Sequence, residues 1–202
     1  MLYLHGDNTF LAKTALNNYT MNTWKENALC ASRKLNLVST QEINHVLLAL
    51  ASKAEEKCDD LLAENQKDLA AMEKSNPLYD RLLLTKQRIY DIASDIRKVA
   101  SLPSPVGNVL ESRELPNGLK LTKKAVPFGV IGIIYEARPN VSFDVFSICF
   151  KTGNVCVLKG GTDAYNSNFA IVSLIKEVLK ENNLDENMVH LLPAGREATG
   201  DL

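Results

Sequence analysis

Apolar residues recur at helical spacing through the first hundred residues of the chain. Segment 22–35 is short and amphipathic, and Ser39-Thr40-Gln41-Glu42 has the spacing of a capping box ahead of a second helix. Periodic segments follow over 60–72 and after Thr85, which is placed to cap a further helix. The residues expected to face inward are Ile43, Val46, Leu47, Leu50, Ala51, Ala54, Leu61, Leu62, Leu69, Met72, Ile89, Ile92, Ala93, Ile96 and Val99.

The hydrophobic period changes after Pro103 and Pro105, neither of which can continue a helix. Two short β-type runs, Val109–Leu115 and Leu119–Val126, then flank Asn117-Gly118. Asn-Gly between such runs is a strong hairpin signal, because both residues tolerate positive φ. The pattern predicts a β-hairpin.

The next segment predicts a β-strand, a helix and a second β-strand. Gly129–Tyr135 is an unbroken apolar run rich in β-branched residues, which is typical of a strand buried on both faces of a parallel sheet. Glu136–Asn140 breaks the run, Val141–Lys151 has the length of a three-turn helix, and Asn154–Leu158 is a second buried strand. Ligands of such units bind beyond the carboxyl ends of the strands, so the two polar turns there mark the expected binding site.

The remaining segments extend this alternation. A long helix is expected over 163–182, with Phe169, Ile171, Val172, Leu174, Ile175, Val178 and Leu179 on its buried side. Met188–Leu192 predicts a third strand, and 197–202 begins another helix. Because the pattern stops there, we expect the chain to be part of a larger doubly wound sheet. The fold class predicted from these periods is α/β.

Composition excludes several functional classes. The formal charge of −1 supplies no basic field, so a nucleic acid is not an expected partner. No apolar run approaches the roughly 20 residues that span a bilayer, and the first residues do not resemble a secretory signal. We therefore expect no membrane association and a cytoplasmic location.

The four cysteines are Cys30, Cys58, Cys149 and Cys156, and none has a metal-ligand spacing such as C-x-x-C. Cys149 and Cys156 lie within apolar segments, which favours small buried hydrophobic residues over reactive or paired thiols. No metal site is predicted.

A family resemblance rests on the same strands and turns. The run PFGVIGIIYEARPNV, followed by KTGNVCVLKGG and a helix containing Ser167-Asn168, resembles γ-glutamyl phosphate reductase, also called glutamate-5-semialdehyde dehydrogenase. That family belongs to the aldehyde dehydrogenase superfamily, and the resemblance extends from about Met21 to Leu202. It implies a Rossmann-type parallel sheet with an N-terminal helical layer and an inserted β-hairpin.

The resemblance divides the chain into four parts. Residues 1–20 do not match the family and form an atypical N-terminal extension, with Met21 the expected initiator. Residues 21–105 are the helical part of a cofactor-binding domain, and 106–126 form a hairpin arm through which the family oligomerises. The hairpin also suits an ordinary surface position. Residues 127–202 are an incomplete Rossmann-type cofactor-binding domain, and the catalytic domain is absent.

The family's reaction is the NADPH-dependent reduction of γ-glutamyl phosphate to glutamate 5-semialdehyde and phosphate in proline biosynthesis. A cysteine thiolate displaces phosphate, and the resulting thioester is reduced by hydride from NADPH. The resemblance places that cysteine beyond Leu202, so the chain alone is expected to be inactive. It implies γ-glutamyl phosphate as substrate, glutamate 5-kinase as a candidate supplier of it, and a homo-oligomer formed through the hairpin.

The resemblance assigns roles to the turn after the first strand. Asn140 aligns with the asparagine whose amide forms part of the oxyanion hole, although Asn also suits a helix N-cap. Ala137, Arg138 and Pro139 would pass beside the nicotinamide end of the cofactor. Arg138 is a separate hypothesis, because it suits binding of the pyrophosphate, the acyl phosphate or the substrate carboxylate, as well as a structural ion pair.

The turn after the second strand is assigned to the cofactor as well. Lys159 aligns with the lysine that binds the adenosine ribose, Gly160 and Gly161 would let the backbone approach the cofactor, and the helix N-terminus that follows favours anions. Relatives that prefer NAD often carry glutamate where this chain has Thr162. An uncharged residue there is consistent with NADP, although Asp163 is adjacent.

Two alternatives stay open at this point. One is a non-catalytic nucleotide-binding or assembly fragment that pairs through its hairpin. The other is an ordinary NAD-dependent aldehyde dehydrogenase. The turn argues against it, because it reads ARPNV where that superfamily more usually has Pro-Trp-Asn.

Overall fold

The computed structural model describes residues 24–195 and residue 200. The extension proposed for 1–20 lies outside the described residues, as does the helix expected over 197–202 apart from residue 200. The helical layer comprises α1 (24–35), α2 (Thr40–Glu56), α3 (Cys58–Ala70), the single turn α4 (Tyr79–Leu82) and α5 (Lys86–Ser101). None of the described helices combines the length and apolar character needed to cross a bilayer.

The two predicted helix caps are confirmed. Ser39 precedes α2, where its Oγ accepts a hydrogen bond from the Glu42 amide at 3.2 Å. The Glu42 carboxylate in turn accepts one from the Ser39 amide at 2.9 Å, which completes a capping box. At the start of α5, Thr85 Oγ1 accepts from the Arg88 amide at 3.1 Å. Side-chain oxygens therefore satisfy amides that the helices leave unpaired at these ends.

The predicted hairpin is also present. Strand β1 (Val109–Glu114) pairs with the antiparallel strand β2 (Lys120–Lys124), and Gly118 in the connecting turn has a φ of 82°. Every residue of both strands is exposed. The hairpin therefore projects from the described chain without packing on its core.

A three-stranded parallel sheet carries the second half of the chain. Strands β3 (Val130–Ile134), β4 (Val155–Lys159) and β5 (Val189–Leu191) pair in that order. Helix α6 (Asn140–Lys151) connects β3 to β4, and α7 (Tyr165–Glu181) connects β4 to β5 after a short 3₁₀ turn. The alternation of strand and helix confirms the α/β fold class.

The central strand β4 is buried throughout, as predicted. Cys156 and Leu158 belong to the main core formed with the helices, whereas Val157 packs with Trp24 of α1 and with Leu192. Apolar packing on both faces explains why this strand has no exposed residue.

Two burial predictions are wrong. Strand β3 was expected to be buried on both faces, but Gly132 is exposed and Ile134 is 61% exposed. Residues two apart lie on the same face of a strand, so one face of β3, which is also an edge strand, is left uncovered by the described residues. Phe169 was expected on the buried side of α7 but is 58% exposed and stacks on Tyr165.

A buried lysine joins the sheet side of the fold to the helical layer. Lys151, at the end of α6, is 3% exposed and donates hydrogen bonds to Asn44 Oδ1 at 2.6 Å and to the Ala100 carbonyl at 2.8 Å. Burial lowers the pKa of this amine. The carbonyl belongs to the last turn of α5, where the helix dipole favours a cation. Lys151 thereby connects α6 to α2 and α5.

His190 is a buried polar residue in the middle of β5. Its ring lies 6.1 Å from the ring of Trp24, and within the described chain Nε2 has no hydrogen-bond partner. Burial, with a smaller contribution from the Lys176 charge, lowers the pKa of His190 below 6.5. The folded state therefore favours the neutral imidazole.

This burial predicts a pH dependence of stability. The unfolded chain takes up the proton first, so the contribution of neutral His190 is complete above pH 6.5 and is lost as the pH falls from 6.5 towards the lowered pKa. Denaturant unfolding of the wild type between pH 7.5 and 5.5 should show a falling free energy of unfolding. The variant His190→Gln should show a smaller slope, and the exposed control His45→Asn should keep the wild-type slope. Equal slopes in all three proteins would contradict the assignment.

Candidate functional site at the carboxyl edge of the sheet

The two turns singled out in the sequence lie side by side. The Tyr135 amide, just past β3, donates to the Lys159 carbonyl at the end of β4 at 3.1 Å. Further along, a methyl group on Gly161 would lie 3.5 Å from the carbonyl carbon of Glu136 and 3.8 Å from the Ala137 amide nitrogen. The turns 136–139 and 160–162 are thus in contact at the edge where the topology places a ligand site.

Asn140 is the first residue of α6 and is half-buried. It does not cap the helix with its side chain, because the N-cap residue is Pro139 and no side-chain cap bond is formed. Instead, Nδ2 of Asn140 donates to Oδ2 of Asp144 one turn later at 3.1 Å. A carboxylate accepts only, so this bond orients the amide, whose second N–H remains available as a donor.

A buried chain of hydroxyl and amide groups supports this turn. Tyr135 Oη lies 2.7 Å from Ser142 Oγ, which donates to Asn168 Oδ1 at 3.0 Å. Since the serine has one proton to donate, the tyrosine is the donor in the first bond. Burial raises the pKa of Tyr135 to about 12, so this donor stays protonated. The chain connects β3, α6 and α7 directly behind the turn.

Gly160 is needed for packing against this chain. A methyl group at Gly160 would lie 2.3 Å from Asn168 Nδ2 and 3.3 Å from the ring of Tyr135. Asn168 is 1% exposed, and its Nδ2 has no hydrogen-bond partner among the described residues. The space that a Cβ on Gly160 would take is therefore occupied by Asn168.

Lys159 is 6% exposed, and its ammonium group is held at the end of β4. It donates to its neighbour's carbonyl, Gly160 O, at 3.0 Å and to Ala194 O at 2.8 Å. An ammonium has three donors, so one remains for a ligand hydroxyl. The lysine joins the loops that follow β4 and β5.

The N-terminus of α7 already binds an anion, and that anion is Asp68. This carboxylate, 5% exposed on α3, accepts from the backbone amides of Asn166 at 3.0 Å and Ser167 at 2.8 Å. It also accepts from Asn166 Nδ2 at 2.8 Å and Ser167 Oγ at 2.6 Å. The expectation that this helix end attracts a ligand anion is therefore wrong, because a protein side chain caps it.

Thr162 is exposed and borders a cavity of about 440 Å³ between α3 and α7. The same cavity is lined by Asp68, Asp163 and Glu73, whereas its lysine, Lys67, pairs with Glu64. Uncharged Thr162 thus stands in acidic surroundings.

A second cavity, of about 280 Å³, lies beyond the end of β5. One wall carries Tyr165 and Phe169 of α7, whose rings stack at 6.3 Å, and the other is formed by residues 191–194, which include the Lys159 acceptor Ala194. Flat aromatic and aliphatic walls suit a planar ring system.

The remaining predicted residues of the first turn are placed as follows. Ala137 and Pro139 are buried, while Arg138 is exposed. Within the part of the chain that the structure describes, the Arg138 guanidinium takes part in no ion pair.

The buried cysteines match the expectation of small hydrophobic residues. Cys149 is 7% exposed and Cys156 is fully buried, and both are free thiols. Burial raises the pKa of Cys149 to about 11 and that of Cys156 well above its usual value. Because the thiolate is the nucleophile, neither position suits catalysis.

Sequence reasoning missed Asp68, Ser142 and the packing role of Asn168. Each is an ordinary polar residue on a helix, and only its tertiary partner reveals its role. The one available signal was their position: Asp68 breaks an apolar helix face, and Asn168 falls between apolar residues of α7.

The two glycines of the second turn make a matched test. Gly160→Ala should lower the free energy of unfolding by about 1–3 kcal/mol, because the new methyl group overlaps Asn168. Gly161→Ala should be close to neutral, since its nearest contact, at 3.5 Å, is an ordinary one. Denaturant unfolding measures both. Adding Asn168→Ala should reduce the cost of Gly160→Ala, and an unchanged cost would show that the overlap is not its cause.

Comparison with known proteins gives the context for this geometry. No family model matches the chain. The γ-glutamyl phosphate reductase of Bacteroides thetaiotaomicron is 58% identical over 172 residues, which are 85% of this chain and 41% of that protein. The chain thus spans about two fifths of the length of such curated relatives.

Solved structures agree with this comparison. The γ-glutamyl phosphate reductase of Thermotoga maritima superposes with a TM-score of 0.82 and 35% identity, covering 88% of this chain and 44% of that one. An acetylating aldehyde dehydrogenase from Geobacillus thermoglucosidasius has a TM-score of 0.71 at 16% identity, covering 91% and 39%, and so shares the fold. By sequence and structure, the chain is a homologue of the γ-glutamyl phosphate reductases, with an aldehyde-dehydrogenase-like fold, over about 41% of their length.

Proposed function

We propose that this chain is part of an enzyme that reduces γ-glutamyl phosphate to glutamate 5-semialdehyde and phosphate, with NADPH as reductant. The observation that carries the proposal is the 58% identity over 172 residues. A stretch of that length in a chain of 202 residues includes both turns of the site. The nucleophilic cysteine is proposed to come from a part of the enzyme outside this chain. Cys58, Cys149 and Cys156 are buried, and the exposed Cys30 lies on α1 and not on either turn of the site.

Asn140 is proposed to stabilise the negative oxygen that develops when the acyl group is attacked. One N–H of its amide is committed to Asp144, and the other is free to donate to that oxygen. A fixed donor of this kind lowers the barrier because it needs no reorganisation as charge develops. Tyr135, Ser142 and Asn168 hold the turn that carries it.

The residues of the carboxyl edge fit a nicotinamide cofactor in part. NADPH, when bound, supplies a hydride. Lys159 has one ammonium donor left for a ribose hydroxyl, and the adjoining cavity with Tyr165 and Phe169 suits the planar base. The turn 137–139 is proposed to border the nicotinamide end. The cofactor phosphates do not fit at the start of α7, because Asp68 occupies those amides.

Preference for NADP over NAD is proposed on the basis of Thr162. A glutamate at this position would repel a 2′-phosphate, and threonine removes that repulsion. Asp163 and Glu73 line the same cavity and oppose the phosphate, so the preference is expected to be modest.

Supply of the substrate by glutamate 5-kinase and a cytoplasmic location are also part of the proposal. The supplying kinase follows from the proposed reaction, because an acyl phosphate must be made close to the enzyme that consumes it.

A chimaera tests the catalytic proposal. This chain replaces the matching part of the Bacteroides reductase, and oxidation of glutamate 5-semialdehyde is assayed with phosphate and NADP. The chimaera should be active, and Asn140→Ala should lower kcat by about 100- to 1000-fold with little change in melting temperature. Thr162→Glu should reduce kcat/KM with NADP more than with NAD.

Controls separate catalysis from folding. Cys149→Ala and Cys156→Ala in the chimaera should keep most of the activity, and the unmodified Bacteroides enzyme is the positive control. A folded but inactive chimaera would reject the proposed function, whereas full activity in Asn140→Ala would reject only the role of that amide.

The exposed hairpin is proposed to join two copies of the enzyme. Leu110 is 62% exposed and Leu119 is 52% exposed, and just past the hairpin Phe128 is 92% exposed. By the strand register, Leu110 lies near the open end of the hairpin and Leu119 at its turn, and Leu121 between them on β2 is 37% exposed. Several exposed apolar groups along one arm suit an interaction surface.

Sedimentation velocity on the chimaera tests this arm. The double variant Leu110→Ser, Leu121→Ser should shift the protein to a smaller species, because it makes the arm polar. Leu37→Ser, at an 87% exposed position outside the hairpin, should leave the assembly unchanged. Unchanged sedimentation of the double variant would reject the arm.

A further inference from the structure

Two arginines from distant parts of the chain meet at one small pocket. The pocket, of about 220 Å³, lies between α4 and the turn that follows β3. Arg81 lines it from α4, and Arg138 lines it from the turn, with Tyr135, Glu136 and Val141 among the other walls. It is therefore at the carboxyl end of β3, beside the turn that leads into Asn140.

Both guanidinium groups are free to bind a ligand. In residues 24–195 neither Arg81 nor Arg138 forms an ion pair or a side-chain hydrogen bond. By contrast, Arg97 binds Glu55 through two bonds of 2.6 and 2.7 Å, and Arg88 pairs with Asp80. Glu136 is the acid of the pocket, and it too forms no ion pair within those residues. With Glu136 counted, the three charged groups of the pocket give a net charge of about +1, and the two guanidinium groups supply all of its charged donors. A concave site with this balance attracts an anion.

The backbone that carries Arg81 is held in place by side chains. Asn65 donates to the Leu82 carbonyl at 2.9 Å and accepts from the Leu84 amide at 2.8 Å, so it binds the chain just after Arg81. Arg88 donates to the carbonyls of Asp80 and Leu83, both at 2.6 Å. These contacts fix the segment on either side of Arg81 against the core.

The opposite wall is fixed by the Tyr135–Ser142–Asn168 chain. Both cations therefore project from segments whose backbone is already ordered. Such preorganisation reduces the entropic cost of binding.

We propose that Arg81 and Arg138 form a binding site for a phosphoryl group. Guanidinium groups bind phosphoryl oxygens through paired N–H donors, and two of them together match a dianion. The inference rests on the proposed function for the origin of the ligand: the phosphoryl group is that of the acyl phosphate substrate or that of the cofactor. Arg81 is a binding residue in either case.

Inorganic phosphate is the probe for this site. Isothermal titration of the 202-residue chain at low ionic strength should show saturable binding. Arg81→Ala and Arg138→Ala should each raise the dissociation constant for phosphate by about tenfold or more. Arg81→Lys should fall between the wild type and Arg81→Ala, because it keeps the charge and loses the paired donors. Arg113→Ala on the exposed hairpin is the matched control and should bind as the wild type does.

Circular dichroism melting of each variant shows whether it is folded. If Arg81→Ala does not fold, Arg81→Lys takes its place in the binding test. Absence of phosphate binding by the wild type, or wild-type affinity in the folded Arg81 and Arg138 variants, would overturn the proposal.

A competition experiment separates the two sources of the phosphoryl group. If the site takes a cofactor phosphate, NADP should displace inorganic phosphate. If it takes the substrate phosphate, both should bind together, and Arg81→Ala should leave NADPH affinity, followed by fluorescence, unchanged. Phosphate binding without any NADPH binding would count against the proposed function and would still support the phosphoryl site at Arg81 and Arg138.

Discussion

The carboxylate of Asp68 holds together the part of the fold on which the site depends. It accepts four hydrogen bonds from the first turn of α7, and thereby joins the helical layer to the helix that follows β4. Hydrogen bonds to a charged group each contribute roughly 1.5–3 kcal/mol. Since Asn168 belongs to the same turn, the position of Asp68 also determines where the Tyr135–Ser142–Asn168 chain lies.

This arrangement explains why the site is formed by two short turns that contribute little packing of their own. The turn after β3 is held from behind by Tyr135 and Ser142, and the turn after β4 is held by Lys159, which reaches the loop after β5. Gly160 lets the turn after β4 pack directly against Asn168, because any larger side chain at this position would overlap Asn168. The exposed groups, Arg138 and Thr162, stand on this rigid base and face solvent.

Buried side-chain hydrogen bonds also join separate elements elsewhere in the fold. Lys151 joins α6 to the ends of α2 and α5, and Asn65 joins α3 to the segment before α5 and to Ser167. Two of the three ammonium donors of Lys151 and both amide donors of Asn65 are bonded to a carbonyl or side-chain oxygen, which lowers the cost of burial. Two buried side-chain nitrogens in the described chain have no hydrogen-bond partner, Asn168 Nδ2 and His190 Nε2. One is beside the site and the other lies under α1.

The sequence by itself determined the α/β class, the helix caps at Ser39 and Thr85, the Asn117-Gly118 hairpin, and the two turns at the carboxyl edge. These features depend on local periodicity and on the conformational preferences of a few residues, so they can be predicted from neighbouring positions. Tertiary structure alone decided that Asp68 caps α7, that Gly160 packs on Asn168, that β3 is an edge strand, and that Arg81 meets Arg138. Each of these depends on residues brought together from separate elements, and no local pattern in the chain specifies such a contact.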